Sequence, residues 1–156
     1  MADWLLRFEP VITPVFHAWW RLRRPVTLGV RALVCDELHR VLLVRHSYAH
    51  GWHLPGGGVE HGESAHDAAL REAAEEGGVA AARATLIGFF ANHANFPNDH
   101  IALYRLEEWR PCAPRDNAEI LERGFFARDA LPAKTTPGTR RRLAEVFEGA
   151  AQDTRW

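Results

Sequence analysis

The rhythm of hydrophobic and polar positions changes once, near Val26. Before it, over Asp3 to Arg24, apolar residues recur at Leu5, Phe8, Ile12, Val15, Phe16, Trp19 and Leu22. That spacing predicts one amphipathic helical stripe, which Pro10 and Pro14 must start, kink or split. After it, Val26 to Cys35 and Val41 to Val44 are short runs rich in β-branched residues, separated by Asp36 to Arg40, and predict a hairpin. Trp52-His53-Leu54-Pro55 reads as extended, because a residue before proline is biased away from the helical region. Ser64 to Glu76 predicts a helix, with Ser64 as its cap, Asp67 completing a capping-box-like pair, and Gly77-Gly78 as its stop. Leu86 to Ala91 and Ile101 to Leu106 predict strands joined by the polar loop Asn92 to Asp99, and Gly124 to Ala127 a further strand. Thr139 to Gly149 predicts a closing helix with Leu143, Val146 and Phe147 on its buried face. The pattern describes one mixed α/β (α+β) domain over residues 26–156, preceded by an amphipathic helical extension over residues 1–25.

Composition narrows the function classes. Of 156 residues, 47 % are hydrophobic and 25 % charged, which is globular usage and excludes a disordered chain. A formal charge of −1 gives no basis for a nucleic-acid partner, so no DNA binding is expected. Two cysteines, Cys35 and Cys112, are too few for a disulfide scaffold and read as free thiols in a reducing, cytoplasmic setting. No apolar run approaches the ~20 residues of a membrane span. The first segment is no secretory signal, since prolines and charges break it and its arginines follow the apolar residues. Tryptophans beside arginines would suit a membrane surface; packing on its own domain, or on a second copy in a homodimer, is the simpler use.

The chemistry concentrates between Gly57 and Val79, GGVEHGESAHDAALREAAEEGGV. On a helix, Glu72, Glu75 and Glu76 fall at i, i+3 and i+4, on one side. Like charges at that spacing cost about 0.2–0.5 kcal/mol a pair, and the helix dipole disfavours anions in a last turn. A hard divalent cation resolves the conflict, because Mg²⁺ and Mn²⁺ prefer oxygen ligands. By itself the motif reads more simply as a solvated acidic face, with Arg71 paired to Glu75. The surrounding frame decides otherwise: Gly56, Gly57 and Gly58 permit close backbone approach, Glu60 and Glu63 add carboxylates, and Ala65, Ala68, Ala69, Leu70 and Ala73 give a face small enough to lie close to a sheet.

This segment resembles the Nudix box, the signature of the Nudix hydrolases: glycine, five residues, glutamate, seven residues, Arg-Glu, an aliphatic, any residue, Glu-Glu, any residue, glycine, an aliphatic. Gly57, Glu63, Arg71, Glu72, Ala73, Glu75, Glu76, Gly78 and Val79 fill it, with Ala73 smaller than usual. The lead-in Trp52 to Gly57 is also similar to the family's, and the resemblance covers roughly Thr27 to Pro132. It implies a mixed sheet sandwiched between helices and a Mg²⁺-dependent pyrophosphohydrolase, with Mn²⁺ able to substitute. The substrate would be a small nucleotide or sugar-nucleotide, a nucleoside diphosphate linked to another moiety. Glu72 and Glu76 would be the principal metal ligands, with Glu75 direct or through water, and the Gly56 carbonyl a further ligand. Glu63 and Arg71 would hold the glutamates in place. The general base stays open between the box glutamates and Glu119. The alternative is a Nudix-fold module that binds a nucleotide without cleaving it; such modules usually lose box glutamates, and this chain keeps them all.

Substrate selection is expected outside the box. Arg45, His46 and Tyr48 follow the second strand and are candidates for phosphate or base contact. Trp52 reads as packing or as a base-stacking surface. Asn95 and Asp99 sit on the Asn92 to His100 loop, which either covers the pocket or is an ordinary connection. Asp116, Glu119 and Glu122 precede the Phe125-Phe126 strand. No subfamily tag follows Val79, and no His/Cys cluster suggests zinc.

Overall fold

The computed structural model describes residues 26–115 and 119–156. The expected helical extension over residues 1–25, and Asp116, lie outside the described residues. The described residues form six strands and two α-helices, in the order β1 (Thr27–Leu33), β2 (Val41–His46), β3 (Trp52–His53), α1 (Ala65–Glu75), β4 (Val79–Ala91), β5 (Asp99–Pro111), β6 (Ile120–Phe126) and α2 (Pro137–Phe147). A mixed sheet has the order β1-β5-β4, β1 parallel and β4 antiparallel to β5; an antiparallel sheet has the order β3-β2-β6.

Strand alternation explains the sandwich. On one side, Ala32, Val34 and Leu42 pack with Ala73 of α1. On the other, Leu33, Val41, Leu43 and Leu103 pack with Leu143 of α2, flanked by Val146 and Phe147. Successive strand residues face opposite ways, so each central strand needs a helix on both sides. Each fully buried Leu or Phe here contributes about 1.5–3 kcal/mol of transfer free energy. Ala68, Ala69 and Ala73 are fully buried, and their small side chains let α1 lie against β1 and β4.

The expected hairpin is present at its turn but does not continue along the strands. The runs that extend β1 and β2 to the turn meet at an antiparallel Cys35–Val41 bridge, with Leu42 N–H donating to the Val34 carbonyl (3.0 Å) and Asp36 N–H to the Arg40 carbonyl (3.0 Å). They then diverge, β1 to β5 and β2 to β3 and β6. The turn itself is local: the Asp36 carboxylate accepts from Leu38 N (3.0 Å), Arg40 N (2.8 Å) and Arg40 Nε (2.7 Å). β4 begins at Val79 rather than Leu86, because β5 extends to Pro111 and supplies its partners; a register shift falls between Leu86 and Gly88. Among the described residues no helix is long and apolar enough to cross a membrane.

Candidate active site

The loop between β3 and α1, and the last turns of α1, meet over the ends of β1 and β2. Ser64 caps α1 by accepting from Asp67 N (3.1 Å), as the sequence predicts. Gly78, at φ +68°, ends it in the left-handed region that glycine enters without strain. The helix therefore stops just after presenting Glu72, Glu75 and Glu76.

Each box carboxylate has a defined partner. Glu76 is buried; its Oε1 lies 2.7 Å from His46 Nε2 and its Oε2 accepts from Gly56 N (2.8 Å). A carboxylate can only accept, so the imidazole donates. Arg71 works as a fork: Nε to Glu63 Oε1 (2.8 Å), Nη2 to Glu63 Oε2 (3.0 Å) and the Gly58 carbonyl (3.1 Å), Nη1 to Glu72 Oε1 (2.7 Å). Glu75 sits between Arg71 Nη1 (3.4 Å) and Arg115 Nη1 (3.2 Å). The Arg71 hydrogen bonds hold the Glu63 carboxyl below its ordinary value, helped by Glu60 N–H. Glu72 goes the other way: burial raises it, Glu76 and Glu75 add to the rise, and Arg71 opposes.

Two residues the sequence reading passed over complete the site. Arg31 interrupts the apolar strand β1, and its Nη1 donates to the carbonyls of Gly56 (2.8 Å) and Leu54 (3.0 Å). Burial lowers its pKa, with Glu76, Tyr48 and Glu72 among the charges opposing. A lone arginine inside a β-branched run was the available signal. His53 bonds the His50 carbonyl (3.1 Å); burial and then the Arg31 charge lower its pKa to about 4. Arg115, by contrast, carried no local signal.

The remaining candidates separate by position. His46 serves Glu76 rather than an open pocket. Asp99 accepts from Thr27 Oγ1 (2.6 Å) and Asn92 Nδ2 (2.6 Å), Asn95 donates to Asn92 Oδ1 (2.7 Å), and both line clefts that also include Arg31. Arg45 pairs with Glu122 (3.1 Å) on the opposite face of β2 from His46, and Trp52 packs edge-on against Phe126 at 4.8 Å. The structure does not bring these two to the carboxylates. Glu119 lies in the turn before β6, its carbonyl accepting from Ser47 N (2.8 Å). Partial desolvation, then the charges of Glu76, Glu119 and Glu72, raise the Tyr48 phenol, with Arg31 opposing. Glu119 therefore acts electrostatically on the same residue as the box glutamates.

Among the described residues, no three His, Cys, Asp or Glu side chains are gathered to enclose a metal ion, since the box carboxylates turn to protein cations and amides. The donor set still suits a hard divalent cation: three adjacent glutamates and a backbone carbonyl are all oxygen ligands. Gly57 also keeps room beside them, since a Cβ there would lie 2.6 Å from Glu72 Oε1.

The NUDIX domain family model matches residues 25–147, and the chain belongs to this family of hydrolases. Its members generally use divalent cations such as Mg²⁺. A Bacillus subtilis (strain 168) protein named "Putative 8-oxo-dGTP diphosphatase" is 32 % identical over 127 residues, covering 81 % of this chain and 83 % of that protein. Human diphosphoinositol polyphosphate phosphohydrolase 2 is 33 % identical over 110 residues, covering 67 % of this chain and 59 % of that protein. Among solved structures, a MutT NUDIX hydrolase from Burkholderia pseudomallei is 30 % identical with a TM-score of 0.67, covering 78 % of this chain and 98 % of that one. An ADP-ribose pyrophosphatase from Streptococcus suis is 29 % identical with a TM-score of 0.53, covering 83 % of this chain and 97 % of that one.

Proposed function

We propose that residues 26–156 form a Mg²⁺-dependent pyrophosphohydrolase, with Mn²⁺ able to substitute, that cleaves the diphosphate of a nucleoside diphosphate linked to another moiety. The single observation that carries this reading is the arrangement of Glu72, Glu75 and Glu76 at the end of α1, each held by a hydrogen-bonding or charged partner. Those three glutamates, with the Gly56 carbonyl, would hold the divalent cation. Once bound, it would neutralise diphosphate oxygens and activate a water.

The protein's own groups then have distinct tasks. Arg71 ties Glu63 and Glu72 together, holding Glu63 through both carboxylate oxygens and Glu72 through one. His46 and Gly56 N–H hold both oxygens of Glu76. Arg31 pins the Gly56 carbonyl and adds a positive charge to the floor. A carboxylate, from the box or Glu119, takes the proton of the attacking water. Relatives named for 8-oxo-dGTP, ADP-ribose and diphosphoinositol polyphosphates make those three compounds the first substrates to try. The two free thiols agree with work in a reducing cytoplasm.

Glu76→Gln tests the reading. Glutamine can still accept from Gly56 N and meet His46, so the circular-dichroism melt should stay close to wild type. Turnover with Mg²⁺ should fall at least about a hundredfold. Equal turnover in the variant would refute the assignment.

A further inference from the structure

The carboxylates lie beside a longer depression. From Arg31 and His53 it runs past Asn92 and Asn95 to Arg141 and Trp156, enclosing about 490 Å³, within the range of sites that hold small organic ligands. Its near end adjoins the carboxylates through Arg31, which bonds the Gly56 carbonyl (2.8 Å), while Gly56 N–H bonds Glu76 (2.8 Å). Part of its far wall comes from a segment beyond residue 147, where the family match ends.

That segment is tied down along its length. Ala91 N–H donates to the Thr154 carbonyl (2.8 Å) and Trp156 N–H to the Ala91 carbonyl (2.8 Å). Arg141 Nη1 donates to the Trp156 carbonyl (2.8 Å). Glu145 Oε1 accepts from Asp153 N (2.9 Å) and from Arg142 Nη2 (2.6 Å), and the fully buried Arg142 lies 3.9 Å over the Phe90 ring. A buried guanidinium needs such partners to offset its desolvation. The Trp156 indole stands edge-on to Phe90, with ring centres 5.9 Å apart. It also lies against Gly138, where a Cβ would come within 2.5 Å of its Nε1. Glycine in the first turn of α2 thus leaves the place the indole occupies.

Resting on the reading above, we propose that this cleft receives the planar base of the nucleotide and that Trp156 is its stacking surface, favouring substrates that carry a base over those that do not. Tryptophan supplies a wide apolar face and an N–H donor, and stacking on such a face tolerates any base. Asn95 and Arg141 stand in the same cleft as polar groups for the base edge.

The test is calorimetric binding of AMP and GMP, which contain no diphosphate to cleave, with ribose 5-phosphate as the base-free reference. Wild type, Trp156→Ala and Gly138→Ala are compared, with thermal melts as the check on folding. Both variants should weaken AMP or GMP about tenfold and ribose 5-phosphate less than twofold. Equal nucleotide affinity in wild type and Gly138→Ala, parallel loss of nucleotide and sugar phosphate, or no nucleotide binding by wild type would each overturn the proposal. Should Trp156→Ala fail to fold, Gly138→Ala decides alone. A substrate screen run alongside separates the two readings. No hydrolysis of any diphosphate, with the AMP effect intact, overturns the hydrolase reading and leaves the base site standing.

Discussion

Arg71 does what no lysine could do in its place. One planar cation makes four hydrogen bonds of 2.7–3.1 Å to Glu63, Glu72 and the Gly58 carbonyl. A lysine brings the charge but cannot span a carboxylate with parallel N–H groups. Arg71→Lys should therefore weaken Mn²⁺ binding about 10–100-fold, measured from free Mn²⁺ by electron paramagnetic resonance. Wild-type affinity in the variant would show that the clamp is dispensable. His53 gives a prediction of opposite character. Its native pKa of about 4 lies below the ordinary 6.5, through burial first and the Arg31 charge second. The unfolded chain therefore takes up this proton first as the pH falls. Stability linked to His53 is fully present above about 6.5, declines from there to about 4, and levels off below. An NMR titration of its Cε1 proton should give a midpoint near 4, and one near 6.5 would contradict the burial described.

At the scale of elements, the ends of α1 matter as much as its middle. Gly78 holds φ +68°, and a Cβ there would approach the Cys112 carbonyl to 3.2 Å. Gly78→Ala should cost about 1 kcal/mol or more in urea unfolding, since the left-handed turn and the tight carbonyl act together. Position 78 was readable in advance because a helix stop has local chemistry, as was the Ser64 cap, and so the whole acidic helix stood out in the sequence. Strand partnership did not. The pairing of β1 with β5 joins residues such as Thr27 and Asp99, and nothing near Val26 encodes a neighbour that distant. The hairpin expectation holds only at its turn for that reason, and the early start of β4 was missed because Ala80, Ala81 and Arg83 have little strand preference of their own. Within the site, Glu63, Arg71 and the three glutamates were legible as one local motif. Arg31 and Arg115 reach it only through the tertiary fold.

For the whole molecule, the crowding of carboxylates around Glu72 and Glu76 leads to the prediction that a divalent cation, bound as proposed, stabilises the fold. Glu72 is 8 % exposed and Glu76 5 %, so their charges repel across little water. Saturating Mg²⁺ at about a hundred times its Kd should add about 2.7 kcal/mol, and a calorimetric melt should rise by several degrees and return on chelation. No shift would show that the carboxylates do not take the ion in the folded state. The long strand β4 has a separate consequence. It is an edge of its sheet, with Leu86 54 % and Phe89 55 % exposed, and such an edge invites pairing with another molecule. Three features described above disrupt the template: the register shift before Gly88, the exposed charge of Arg83, and the tethered segment that occupies the backbone of Ala91. The same tether that brings Trp156 to the cleft thus also guards against aggregation, so that cutting it away would leave a stickier molecule, prone to self-association at the free rim of the sheet.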